Sequence, residues 1–169
     1  MSFTLRPATA ADLPAIDRVY RAGFSDTFAH LYSAEDFNLF LDQVTPAAWR
    51  AEYDDPDYAF HVAESDGAVA GFAKLGPSAL PHAPPGRSIE LRQLYILKAW
   101  HGSGLAVALM DWTVAEARRR GADHLNLSVF VDNHRARRFY DRYGFAFRGP
   151  YAFMVGNHAD EDLVMSLKL

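Results

Sequence analysis

Apolar residues recur along the chain with two different periods, and the changes of period mark out the elements. Phe3-Thr4-Leu5-Arg6 predicts a short first strand. Thr9 stands three residues before Asp12, a helix-start signal, and Leu13, Ile16, Val19, Tyr20 and Phe24 follow at helical spacing, predicting a helix to residue 29. Ser33-Ala34-Glu35-Asp36 repeats the capping signal ahead of Phe37, Phe40 and Leu41, and Thr45-Pro46 predicts a further short helix. Tyr58 to Glu64 and Val69 to Leu75 read as strands joined at Asp66-Gly67, a hairpin signal. Four prolines between residues 77 and 86 predict a loop. Ile89 to Ile96 is extended again, with Glu90, Arg92, Leu94 and Ile96 expected on one face. Leu105, Ala108, Leu109 and Trp112 predict an amphipathic helix that ends at Arg118-Arg119-Arg120-Gly121, where cations meet the negative end of the helix. Leu125, Leu127, Val129 and Val131 alternate as a strand; Asp132-Asn133 caps a helix that stops at Gly144; Phe145 to Met154 and Asp162 to Leu167 predict two last strands.

At 169 residues, half of them hydrophobic, the pattern fits one α/β domain with a core of its own. The chain has no cysteine, which removes disulfides, thiolate metal sites and a cysteine nucleophile together and fits a cytoplasmic protein. No apolar run approaches the 18 or so residues of a membrane span, and the start, Met1 to Pro7, does not read as a signal peptide. Seven histidines are scattered without ligand spacing, so no metal is expected. The net charge of −4 hides a split: residues 1–60 hold ten acids and four bases, residues 87–150 eleven bases and six acids. One end suits a cation and the other an anion, unless both are simply solvated faces. Without aromatics interleaved in the basic stretch, nucleic acid is not an expected partner.

Two motifs carry the chemistry. His101-Gly102-Ser103-Gly104 lies between a strand and a helix, where free N–H groups and the positive helix end favour an anion; read alone, it is also an ordinary tight connection. Asn133-x-x-Ala136-x-x-Phe139-Tyr140-x-x-x-Gly144-Phe145 follows the next strand. In this order and separation the two segments resemble the Gcn5-related N-acetyltransferase (GNAT) superfamily, over nearly the whole chain.

The resemblance implies a single domain over 1–169, with acceptor-side helices in 1–60 and an acetyl-CoA-binding core in 87–150. Its sheet would be mixed and mostly antiparallel, flanked by helices and splayed between the fourth and fifth strands. By position, Leu94, Tyr95 and Ile96 would lend backbone groups to the pantetheine arm and the thioester; Gly102, Ser103, Gly104, Leu105 and Ala106 would hold the pyrophosphate; Asn133 would bond the pantetheine. His101 stands where the family has Arg or Gln, which predicts phosphate binding that is weaker or pH-dependent. Tyr140 is implied as the acid that protonates the leaving thiolate, and Glu90 as the base, direct or through water. Their alternatives are an aromatic core residue beside Phe139 and a strand acid paired with Arg92. Without a cysteine, direct transfer is expected over an acyl-enzyme.

A looser resemblance to the bacterial spermidine/spermine N-acetyltransferases rests on residues 24–28, 33–36 and the chain's end. It points to a polyamine as the small amine; Asp26, Glu35 and Asp36 as carboxylates and Phe28 and Tyr32 as rings suit such an acceptor, while Glu35 and Asp36 equally suit a helix N-terminus. A protein N-terminus, lysine, amino acid or antibiotic is the alternative acceptor, and a cofactor-binding sensor the alternative class. Homodimers are frequent in the family, so a homodimer is among the implied assemblies.

Overall fold

The structure, a computed structural model, describes residues 1–169. Seven strands, β1 (Thr4–Pro7), β2 (Ala59–Ser65), β3 (Ala68–Pro77), β4 (Ser88–Ile96), β5 (His124–Phe130), β6 (Ala146–Val155) and β7 (His158–Lys168), form one sheet in the order β1-β2-β3-β4-β5-β7-β6. All pairs are antiparallel except β4 with β5. The helices are α1 (Leu13–Phe28), α2 (Ala34–Asp42), α3 (Pro46–Asp54), α4 (Leu105–Arg119) and α5 (His134–Tyr143).

Two apolar cores fill the two sides of the sheet. On one side Ile16, Val19, Tyr20 and Phe24 of α1 and Trp49 of α3 pack on Phe60, Val62 and Phe72; on the other, Leu105, Leu109 and Met110 of α4 pack on Ala73, Leu75, Leu91, Leu125 and Leu127. Alternation along β2 to β5 divides the side chains between these cores.

Two features of β4 set up the site. Leu75 pairs with Leu91 but Lys74 pairs with Gln93, so Arg92 is an extra residue in a β-bulge. The bulge reverses the alternation: Glu90, Gln93 and Tyr95 lie on the α1 side with Lys74, while Leu91, Leu94 and Ile96 lie on the α4 side. The expectation that Glu90, Arg92, Leu94 and Ile96 share one face is therefore corrected. The parallel ladder with β5 is also short, running only from Ser88–His124 to Glu90–Asn126. Beyond it β5 stays paired to β7 as far as Phe130 opposite Asp162, and β4 stays paired to β3 as far as Ile96 opposite Gly71. The sheet splits into two halves at that point.

Candidate active site

The split opens a cleft of about 600 Å³ that runs through the sheet. Leu94, Tyr95 and Ile96 form one wall and Leu127 to Phe130 the other; α1 contributes Asp26 and Phe28, the segment after it Tyr32, and the hairpin β6–β7 contributes Tyr151, Phe153, Asp160 and Asp162. Glu90 lies at the closed end, while His101, Asn133, Arg135 and Tyr140 line the end toward α4 and α5. The cleft thus gathers Asp26, Phe28, Tyr32, Glu90, Leu94, Tyr95, Ile96, His101, Asn133 and Tyr140 from the residues singled out in the sequence. Glu35 and Asp36 lie outside it. Asp36 accepts the Asn157 N–H at 2.8 Å and the Ser33 hydroxyl at 3.0 Å, bracing α2 against the β6–β7 turn, and Glu35 is exposed at the start of α2. Asp36 thus serves in placing α2, and Glu35 lies in its first turn.

At the turn before α4, Gly102 and Gly104 take φ of +79° and +86°, left-handed values that favour glycine. A Cβ at either would meet no atom within 4 Å, so the turn faces open space beside the first-turn N–H groups of α4, which have no intrahelical acceptors. The Ser103 side chain is committed inward: its hydroxyl donates to the Trp100 carbonyl at 2.7 Å and accepts the Leu105 N–H at 3.3 Å. The Leu105 side chain is fully buried in the core. The Ser103 N–H donates to the Trp100 carbonyl at 3.2 Å and the Leu105 N–H to the Ser103 hydroxyl, so the N–H groups left to a ligand are those of Gly102, Gly104 and Ala106.

His101 departs from its expected role. Arg135, in the first turn of α5, places its guanidinium 2.6 Å from His101 Nδ1. A guanidinium only donates, so Nδ1 accepts and the imidazole is neutral. Burial, with Arg135 and Lys98 nearby, lowers the His101 pKa below its usual 6.5. The permanent cation beside the turn is Arg135, brought from 34 residues away in sequence.

Tyr140 projects from α5 and is half-buried, and burial alone pushes its phenol up to about 12. Asn133 Oδ1 caps α5 by accepting the Ala136 N–H at 3.3 Å, which leaves its amide N–H groups for a ligand. Glu90 is 8% exposed; its Oε2 accepts the Ala79 N–H at 3.0 Å and lies 3.6 Å from Arg92. Burial raises the Glu90 pKa, opposed by the Ala79 hydrogen bond and by Arg92 and Lys74. The buried Lys74 is itself ion-paired to Glu52.

Sequence reasoning missed Asp160 and Asp162. They alternate onto the α1 side of β7, 5% and 7% exposed, and the Tyr32 hydroxyl donates to Asp160. Burial, with Asp160 adding to it, raises the Asp162 carboxyl to about 7.

The family model described as acetyltransferase (GNAT) family matches residues 17–145. An uncharacterized N-acetyltransferase of Mycobacterium tuberculosis is 38% identical over 136 residues, covering 80% of this chain and 83% of that one. Streptothricin acetyltransferase of Streptomyces lavendulae is 36% identical over 112 residues, covering 66% and 57%. Among solved structures, the PaiA N-acetyltransferase of Thermoplasma acidophilum in complex with coenzyme A superposes over 100% of both chains with a TM-score of 0.78 at 21% identity, a likeness of fold.

Proposed function

The chain belongs to the GNAT family of acetyltransferases and is an N-acetyltransferase; from that premise we propose that it carries the acetyl group of acetyl-CoA directly to the primary amine of a small cationic molecule, a polyamine fitting best. The observation that carries this reading is the cleft between β4 and β5, with an anion-favouring turn and a cation at one end and buried carboxylates along its interior.

The turn would hold the pyrophosphate through the N–H groups of Gly102, Gly104 and Ala106, with Arg135 as counter-charge. Leu94 to Ile96, unpaired on the β5 side, have backbone groups free for the pantetheine arm, as has the Asn133 amide. In the transfer the amine nitrogen forms a bond to the thioester carbon and the carbon–sulfur bond breaks. Tyr140, kept protonated by burial, gives its proton to the departing sulfur and regains one from the nitrogen. As the base, Glu90 would act only through water, since it lies four residues short of Leu94 along the strand. Exposed Asp26 and the rings of Phe28 and Tyr32 favour an ammonium and its methylenes.

Thiol release from acetyl-CoA, measured with an amine panel that includes spermidine, tests the reading. Tyr140→Phe is expected to lower kcat by about 10²-fold, the usual weight of a general acid, with acetyl-CoA binding within about twofold of the parent. A fully active variant removes the acid role. Acetyl-CoA binding without thiol release from any amine would make the chain a sensor instead.

A further inference from the structure

The carboxylates of the cleft differ in what already neutralises them. Glu52 is paired with Lys74, and Glu90 faces Arg92 and accepts the Ala79 N–H. Asp162 has no Lys or Arg partner, although it is more than nine-tenths buried. A buried carboxylate without a counter-charge is costly to ionise unless a cation arrives to meet it.

Position along the strands separates Asp162 from Glu90 further. Glu90 pairs with Asn126 at the last rung of the β4–β5 ladder; Phe130 lies four residues on along β5, about 13 Å at strand rise, and Tyr95, with one residue taken up by the bulge, lies about as far along β4. Asp162 is the register partner of Phe130, so it stands at the level of Leu94 to Ile96, where the thioester would lie. Glu90 stands at the closed end.

Resting on the acetyltransferase reading above, we infer that Asp162, in place of Glu90, is the carboxylate on which the reacting ammonium docks and to which it gives up its proton. Asp160 holds a second negative charge beside it and is fixed by the Tyr32 hydroxyl. The proton leaves the ammonium for Asp162, the freed lone pair attacks the thioester carbon, and the proton on Asp162 passes to solvent after the acetylated product departs. Acceptors with a carboxylate next to the amine would meet repulsion from Asp160, so simple amines are favoured over free α-amino acids.

The groups facing Asp162 are Asp160 on its own strand, the Ser128 hydroxyl on β5, Tyr32 after α1 and Tyr95 on β4; His158 lies 3.3 Å from Asp160. Asp160 raises the carboxyl and the Ser128 hydrogen bond lowers it. With the carboxyl raised to about 7, amine turnover should rise with pH through that region as Asp162 ionises.

The test compares Asp162→Asn with Glu90→Gln. For each, kcat/KM is measured against pH with 1,4-diaminobutane, n-butylamine and alanine, and acetyl-CoA binding is measured by calorimetry. Asp162→Asn should lower kcat/KM for the two simple amines by about 10²-fold and lose the limb near pH 7, with acetyl-CoA binding intact. Glu90→Gln should keep that limb. In Asp162→Ala, added formate should restore part of the rate, which no merely structural role predicts. Asp162→Asn that keeps both rate and limb, or loss of the limb in Glu90→Gln alone, overturns the inference. Should Asp162→Asn fail to bind acetyl-CoA, formate decides: rescue of Asp162→Ala supports the inference and its absence overturns it. A parent that binds acetyl-CoA yet acetylates none of the three amines, nor spermidine, overturns the acetyltransfer reading itself, a result distinct from an active parent with an unaffected variant.

Discussion

Replacing Arg135 with alanine removes the guanidinium that the structure brings against the His101 turn, leaving Lys98 nearby. A guanidinium about 4 Å from a phosphate gains roughly 1 kcal/mol at the dielectric of water and about 4 at the value of 20 usual near protein surfaces. Arg135 is exposed, so the lower part of that range applies, about 1–2 kcal/mol, or roughly a 5- to 30-fold rise in the Kd of coenzyme A. Calorimetric titration of coenzyme A and of pantetheine, which lacks the phosphates, into parent and Arg135→Ala measures it. Coenzyme A should bind more weakly to the variant and with a smaller salt dependence, while pantetheine should not distinguish the two. His101 is neutral with its pKa below 6.5, so affinity should be flat from about pH 7 to 8, contrary to what its place in the turn suggests. Unchanged coenzyme A affinity in Arg135→Ala, or equal weakening for pantetheine, would refute the charge argument.

Two predictions concern the frame that holds the cleft. A Cβ at Gly71 would lie 2.6 Å from Ile96 Cγ2 and 2.8 Å from Leu105 Cδ2, so Gly71→Ala should cost about 1–3 kcal/mol, seen as a lower Tm in calorimetry, and should weaken coenzyme A binding by displacing Ile96. Glu116, bonded to Arg119 and Arg120, has its carboxyl lowered to about 2 from 4.5. That stabilisation is present above about pH 4.5 and is lost as pH falls toward 2, so Glu116→Gln should be less stable at neutral pH and lose less stability on acidification, followed by denaturant melts.

The particular elements explain how far the sequence could be read. The strands β2 to β5 and the helices α1, α4 and α5 carry their signals locally, in apolar period and in caps such as Asn133 and Gly144, and the structure has them within a residue or two of expectation. The bulge at Arg92 has no local signal, because it is a mismatch in pairing with β3, and it moved Glu90 and Leu94 to opposite faces. The start of β7 was also hidden. His158-Ala159-Asp160-Glu161-Asp162 reads as a polar turn, since buried acids at alternate positions invert the usual pattern, and the expected strand began only at Asp162. The same inversion concealed the two carboxylates in the cleft. Arg135 was visible as a charge but not as a neighbour of His101, which depends on how α5 docks across the splayed strands. Asp36 failed in the opposite direction: its helix-start signal was real, and its partner, the Asn157 N–H, could not be foreseen from spacing.

The central claim is direct acetyl transfer in the cleft between β4 and β5. Its most direct test is to quantify free coenzyme A thiol and acetylated amine together, by thiol titration and mass spectrometry, as the parent protein consumes acetyl-CoA with spermidine or 1,4-diaminobutane. Equimolar appearance of the two products, dependent on the amine and slowed about 10²-fold by Tyr140→Phe, is the predicted result. Thiol released without acetylated amine, or acetyl-CoA bound and never consumed, would contradict it.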